Sequence, residues 1–441
     1  MAFAGFDLLH AEMRAIASAH AVGRVREVRR GMIEVSGLDR SAALGDRATI
    51  RCQSGREIGA EVLSLTRGAV TVLPDGAADG VAIDDEVELL GQGGIAPHDS
   101  WVGRIIDPFG KPLDGQPLIH GARERELRAS PPPAAQRKRL GGRLETSLAA
   151  FDTMLPLVQG QRVGLFAGSG VGKSSLLASF ARGVSADIVV IALIGERGRE
   201  LREFVEKTLG PEGMARAVIV AATSDQSPLV RRRCAWAAMA VAEHFRDAGQ
   251  HVLFLADSIT RFAEAHREVA LAGGEPASLR GYPPSTSYQI MALGERAGPG
   301  AEGQGDITGV FSVLVAGSDM DEPIADILRG VLDGHVVLER EIAERGRFPA
   351  INMLRSVSRS LPDAADPEEN RLIGKARSLL GAYDRAEMMI QAGLYAEGSD
   401  KRIDAAIKVW PELDAFIAEP APDGIAGSFA RLRTILSQVP G

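Results

Sequence analysis

The run Gln161-Arg-Val-Gly-Leu-Phe-Ala-Gly-Ser-Gly-Val-Gly-Lys-Ser-Ser175 decides how this chain folds. Val163 to Phe166 have the apolar composition of a buried strand. A glycine-rich turn follows, and Gly172-Lys-Ser174 opens directly into an apolar helix that begins near Ser175. Strand, loop and helix in this order form a cradle for phosphate. Glycines at 168, 170 and 172 free the backbone so that successive N–H groups turn inward on an anion. The helix N-terminus adds its partial positive charge at the same place. Gly168, Ser169, Gly170, Val171, Gly172, Lys173, Ser174 and Ser175 are therefore the candidate nucleotide-binding residues. In such a loop the lysine, Lys173, reaches the β- and γ-phosphates of a nucleoside triphosphate, and the hydroxyl of Ser174 completes the coordination of Mg²⁺. The loop departs from G-x-x-x-x-G-K-[ST] at its first position, Ala167, whose methyl group restricts one turn but removes no donor.

The 441 residues suffice for two or three domains, each with its own core. Hydrophobic residues make up 45% and charged residues 24%, the balance of a soluble globular protein. The longest apolar runs, Ile188 to Ile194 and Val252 to Ala256, are too short to span a bilayer. A formal net charge of −8 argues against sequence-independent binding of nucleic acid by the whole surface. Only Cys52 and Cys234 occur, which points to a reducing compartment. Asp7 and Glu12 stand where a leader peptide would be basic or apolar, so a cytoplasmic location is expected.

Residues 1–22 read as an amphipathic helix, with Phe6, Leu9, Met13 and Ile16 at helical spacing. It either packs on its own domain or docks a partner. Residues 23–95 carry five short alternating runs, Val25–Val28, Met32–Val35, Arg47–Ile50, Ile58–Leu65 and Val70–Leu73, separated by turn residues. That spacing predicts an antiparallel β-barrel, poor in the aromatics that stack on bases. Within residues 96–362, the segment up to Gly160 is a connection with a rigid Ser130-Pro-Pro-Pro133 and a basic cluster, Arg137-Lys-Arg139, expected on a solvated surface. Strands at Val163–Phe166, Ile188–Ile194, Ala217–Ala221, Val252–Ala256 and Val310–Val315 then alternate with helices over 175–183, 198–208, 229–247 and 259–271. The order implies an α/β core with a mostly parallel sheet that binds ligands at its carboxyl ends. Gly298-Pro-Gly-Ala-Glu-Gly-Gln-Gly305 reads as a flexible linker or a mobile loop. Residues 363–441 read as an α-helical domain, clearest over Glu368–Met389 and Lys401–Ile407.

Three sets of residues carry candidate chemistry. Asp257 ends a buried strand, where a carboxylate needs a cation; Mg²⁺ held near Ser174 supplies one, and a helix N-cap role is the alternative. Glu196, in Leu193-Ile-Gly-Glu-Arg-Gly-Arg-Glu200, either accepts a proton from an attacking water or is an acidic residue in the first turn of a surface helix. Arg197 beside it can stabilise charge on the γ-phosphate. The segment Phe348-Pro-Ala-Ile-Asn-Met-Leu-Arg-Ser-Val-Ser-Arg359 is rich enough in hydroxyls and arginines to face phosphate.

Together with Gly281-Tyr-Pro-Pro-Ser285 and Ala256-Asp-Ser-Ile-Thr-Arg261, these phrases resemble the family of rotary ATP synthase catalytic subunits and their type III export relatives, the flagellar export branch above all. The resemblance implies a RecA-like P-loop NTPase core between the barrel and the helical domain, in a homohexameric ring with ATP sites between protomers. By position, Lys173 and Ser174 match the phosphate and magnesium residues, Glu196 the catalytic glutamate and Asp257 the magnesium-site aspartate. Arg197 and Arg261 match arginines of the phosphate pocket, and Arg359 matches an arginine finger given to the neighbouring protomer. Phe348 matches an aromatic that stacks on adenine, with Tyr395 as a second candidate. The implied activity is Mg²⁺-dependent ATP hydrolysis coupled to flagellar protein export, peripheral to the inner membrane. Implied partners are a stalk-like regulatory subunit at the N-terminal helix, the export gate, and export chaperones with their substrates. A virulence injectisome ATPase, an ATP synthase catalytic subunit, a non-hydrolysing nucleotide-binding ring scaffold and a hexameric nucleic-acid translocase are the competing readings.

Overall fold

The computed structural model describes residues 20–29, 31–315, 320 and 322–439. Of the amphipathic helix expected over residues 1–22, residues 1–19 lie outside the described residues; His20 and Ala21 are not helical, and Val22 opens a strand. Strands β1 (Val22–Arg29), β2 (Met32–Ser36), β3 (Arg47–Arg51), β4 (Glu57–Thr66), β5 (Ala69–Pro74) and β6 (Glu86–Gly91) close a barrel in the order β1-β2-β5-β4-β3-β6. Every pairing is antiparallel. Alternate residues point inward, among them Val25, Ile33, Val35, Ile50, Val70, Val72 and Val87, all buried. Sequence periodicity anticipates the first five strands. The sixth, β6, pairs with both β1 and β3 and is the strand that closes the ring.

The larger sheet contains β7 (Ile105–Ile106), β8 (Arg162–Ala167), β9 (Ile188–Glu196), β10 (Ala217–Thr223), β11 (Val252–Asp257), β12 (Gly298–Pro299), β13 (Asp306–Leu314), β14 (Gly334–Leu338) and β15 (Ile351–Ser358). Its order is β15-β14-β8-β13-β11-β9-β10-β7, with β12 beside β13. Neighbours run parallel except at β14–β15 and β12–β13. Strands buried on both sides read as continuous apolar runs rather than alternating ones. In β9, accordingly, Val189, Ile191 and Leu193 enter one core while Val190, Ala192 and Ile194 enter the other. Helices Lys173–Gly183, Pro228–Asp247, Ile259–Ala272 and Ser285–Arg296 follow these strands.

Two local expectations are corrected. Of the basic cluster Arg137-Lys-Arg139 only Arg139 is exposed: Arg137 donates to the Pro132 carbonyl at 3.0 Å and the Glu295 carbonyl at 2.6 Å, and Lys138 lies 2.8 Å from Asp306. The glycine-rich stretch 298–305 is neither a linker nor a free loop. Its first two residues pair with β13, the Gly300 N–H donates to Asp306 at 3.0 Å, and a Cβ on Gly305 would stand 1.9 Å from the Gln250 carbonyl oxygen. Glycine is required there because two backbones touch.

The C-terminal region holds helices Pro367–Gln391, Lys401–Ala418 and Gly424–Leu436. The first opens with a capping box in which Asp366 and Glu369 satisfy each other's backbone N–H groups. The second runs through Pro411, which reads as a breaker in the sequence. Arg377 ties this region to the core by donating to the carbonyls of Met353 and Ser356 at 3.1 and 3.0 Å.

Barrel and core meet at a buried ion pair. Arg232, on the helix Pro228–Asp247, bonds to Glu61 of β4 at 2.5 Å, and Arg128 reaches the same carboxylate at 3.1 Å. Burial lowers the Arg232 pKa to about 10, so the guanidinium is still charged at neutral pH. Removing one partner leaves a buried charge uncompensated, which costs about 3–5 kcal/mol. Glu61→Leu is expected to lower the thermal unfolding midpoint sharply, and Glu61→Leu with Arg232→Met is expected to recover most of it, both read by calorimetry.

Candidate functional site

A cleft of about 1470 Å³ opens at the carboxyl ends of β8, β9, β11 and β13. The strand order explains why. β13 separates β8 from β11, and β9 lies beyond β11, so the loops leaving β8, β9 and β11 converge on one mouth.

The phosphate loop leaves β8 at Ala167. Gly170 and Gly172 adopt φ of 78° and 86°, the left-handed region that favours glycine, and Gly172 caps the helix Lys173–Gly183. Gly168 does not share this conformation, and a Cβ there would meet only the Val315 carbonyl at 3.7 Å, so its glycine is not a backbone requirement. Gly168, Ser169, Gly170, Gly172, Lys173, Ser174 and Ser175 line the cleft. Val171 turns its side chain into the core, which leaves only its backbone for an anion.

Three charged side chains meet behind the loop. Asp257, the last residue of β11, is buried, and its Oδ1 accepts hydrogen bonds from the Lys173 ammonium and, at 2.8 Å, from the hydroxyl of Ser312. Glu196, the last residue of β9, places Oε1 4.0 Å from the Lys173 Nζ. Burial, and next the Asp257 carboxylate, push the Glu196 pKa up to about 7, with Lys173 opposing them. Such a carboxyl is poised to exchange a proton near neutral pH. The N-cap alternative for Asp257 is not the arrangement found: the helix Ile259–Ala272 is capped at Ser258, whose side chain accepts no backbone hydrogen bond there.

Arg197 and Arg261 line the cleft but turn to neighbouring carboxylates, Glu200 at 3.0 Å and Glu264 at 2.8 Å. Phe348 is half exposed on the cleft wall and lies against the phosphate loop, where a Cβ on Gly172 would stand 3.0 Å from its ring. Pro349 lines the cleft beside it, whereas Ile351–Ser358 of the same segment form the edge strand β15, away from the cleft. Arg359 follows that strand and donates to the Arg329 carbonyl at 3.0 Å, and it does not line this chain's cleft. Tyr395 is also outside the cleft, with its hydroxyl donating to Asp404 at 2.8 Å. Sequence reasoning missed Arg231, Thr260 and Ser312. Arg231 lines the cleft as the first of three consecutive arginines, with no local signal to single it out.

Among the described residues no group of three or more His, Cys, Asp or Glu side chains could hold a metal unaided. Mg²⁺ in triphosphatases does not need one, since one or two protein oxygens and the substrate phosphates hold it. Ser174 and Asp257 supply hard oxygen donors of that kind, and Asp257 already draws a cation, the Lys173 ammonium. The residues present therefore fit the ion.

Phosphate loop, strand-end carboxylates and parallel sheet define a P-loop nucleoside triphosphatase with a RecA-like core. Comparison with known proteins narrows this. Residues 147–358 match the family model described as ATP synthase alpha/beta family, nucleotide-binding domain, and residues 365–425 match the T3SS EscN ATPase C-terminal domain. The chain is 44% identical to the flagellum-specific ATP synthase of Caulobacter vibrioides, over 94% of this chain and 95% of that protein. It is 39% identical to the type 3 secretion system ATPase of Xanthomonas euvesicatoria, over 93% of each. The assembled ATPase EscN of enteropathogenic E. coli in complex with its central stalk EscO superposes with a TM-score of 0.84 at 36% identity, covering 94% of this chain and all of that one. The chain belongs to the ATP synthase alpha/beta family, in the branch of flagellum-specific and type III secretion ATPases.

The raised Glu196 pKa carries a signed expectation. A base works only when ionised, so kcat/KM, which reports the free enzyme, is expected to fall about tenfold per unit as pH drops below about 7. A pH profile that stays level down to pH 5.5 would remove Glu196 from the base role.

Proposed function

We propose that this chain is the ATPase of flagellar type III protein export, working as a homohexameric ring on the cytoplasmic side of the export gate. The observation that carries the reading is the joining of Lys173, Glu196 and Asp257 in one cleft of a chain that matches flagellum-specific ATP synthases almost end to end. Backbone N–H groups of 168–174 and Lys173 bind the ATP phosphates. Glu196 takes a proton from water as its oxygen bonds to the γ-phosphorus, and the bridging oxygen leaves with ADP. Ser174 and Asp257 would hold Mg²⁺, which when bound would supply charge neutralisation for the phosphates. Arg197 and Arg261 lie near enough to the cleft to exchange their carboxylate partners for phosphate. Phe348 offers a face for adenine; Tyr395 would need the C-terminal region to move.

Arg359 acts in trans in this reading, as an arginine finger completing the neighbouring protomer's site. Such a group contributes about 10³–10⁵ to turnover. Its place outside its own cleft supports that assignment. Residues 1–22 would meet a stalk-like regulatory partner, a role suggested by the stalk bound to EscN. Units spanning 23–95, 96–362 and 363–441 would form the ring's barrel, ATPase and helical tiers, and export chaperones with their substrates would be further partners. No helix among the described residues is long and apolar enough to cross a membrane, so attachment to the export apparatus would be peripheral. The second reading, a virulence injectisome ATPase, is supported by the 39% identity to the Xanthomonas euvesicatoria enzyme. Loss of flagellar filaments in a deletion strain, restored by this chain but not by Glu196→Gln, separates the two.

Trans completion has a direct biochemical test. Glu196→Gln and Arg359→Ala proteins are each expected to be inactive, yet a mixture is expected to regain activity, because some interfaces then pair an intact Glu196 with an intact Arg359. A mixture as inactive as its components would refute the finger.

A further inference from the structure

Ser312 is a lone hydroxyl in Val310-Phe-Ser-Val-Leu314 and is wholly buried. A hydroxyl removed from water in such a strand is costly unless it bonds. Its Oγ donates to Asp257 Oδ1 at 2.8 Å. β13 is paired along both edges, with Ser312 beside Leu165 of β8 and Phe311 beside Ala256 of β11. The hydroxyl is thus fixed by a central strand rather than by a loop. Oδ1 of Asp257 takes this bond and the Lys173 ammonium, while Oδ2 takes no protein hydrogen bond among the described residues.

We propose that Ser312 is a positioning residue for Mg²⁺ binding: its hydrogen bond fixes the rotation of the Asp257 carboxylate and leaves Oδ2 as the free oxygen for a cation. The proposal rests on the reading of Asp257 as the metal carboxylate. Lys173 is a flexible counter-ion that nucleotide phosphates would draw away, whereas Ser312 Oγ has no other partner among the described residues and stays. Outer partners that orient a metal's ligand typically change affinity for the metal by about 10–100-fold.

The test is equilibrium binding of a fluorescent ADP analogue to the full chain, titrated with Mg²⁺ and repeated in EDTA. For Ser312→Ala, the Mg²⁺ concentration giving half the tightening is expected to rise about tenfold or more, with affinity in EDTA unchanged. Ser312→Thr, which keeps the hydroxyl, is expected to restore the wild-type midpoint. A wild-type Mg²⁺ midpoint in Ser312→Ala would overturn the proposal. So would an equal loss of affinity with and without Mg²⁺, since that marks a general distortion of the cleft. If the wild-type protein itself shows no response to Mg²⁺, the reading of Asp257 fails and the proposal falls with it, an outcome distinct from failure of Ser312 alone.

Discussion

The buried carboxylate of Asp257 sets the constraint on which the site depends. An ionised oxygen at the mouth of an apolar strand is tolerated only with a cation and hydrogen bonds to meet it. Lys173 and Ser312 provide these, and each comes from a different strand: Lys173 follows β8, and Ser312 lies on β13. The carboxylate can therefore be buried only if β8, β13 and β11 lie side by side. In the proposed reading, nucleotide phosphate would draw Lys173 away and a divalent cation would take its place at Asp257.

Glu196 is governed by the same local field. It lies within reach of both Lys173 and Asp257, and burial together with the neighbouring carboxylate holds its pKa near neutrality. A glutamate in water would be ionised at every physiological pH and a poor proton acceptor. Its place at the end of β9, next to β11, is what sets that field, and the proposed base role rests on it. Arg359, in contrast, follows the edge strand β15, which lies on the far side of β14 from the phosphate loop's strand. In the proposed reading a protomer would assemble the acid–base half of the chemistry alone and leave its arginine for another site.

Much of this was legible in the sequence because the decisive signals are local. The phosphate loop is written in adjacent residues, and Asp257 and Glu196 announce themselves by ending apolar runs. What was not legible depends on contacts between distant segments. The closing strand β6 carries Glu86 and Glu88 on its outer face and leaves only Val87 and Leu89 as a short inward pair, a weak alternation until both neighbours are known. Arg137 and Lys138 read as surface charge because their partners, Glu295 and Asp306, lie more than 150 residues away. Gly168 looked obligatory by analogy with Gly170 and Gly172, yet only those two need the left-handed conformation. Ser312 was hidden as a single polar residue in an apolar run, and the helix that is clearest in the sequence over Lys401–Ile407 continues in the structure through Pro411 to Ala418.

The central claim is that catalysis belongs to a ring whose sites are completed between protomers. ATP hydrolysis per protomer, measured across a wide range of protein concentration with Glu196→Gln as the blank, tests it most directly. The account predicts a specific activity that rises cooperatively and levels off once assembly is complete. A rate per protomer that is constant from the most dilute sample upward, or that never exceeds the blank, would contradict it.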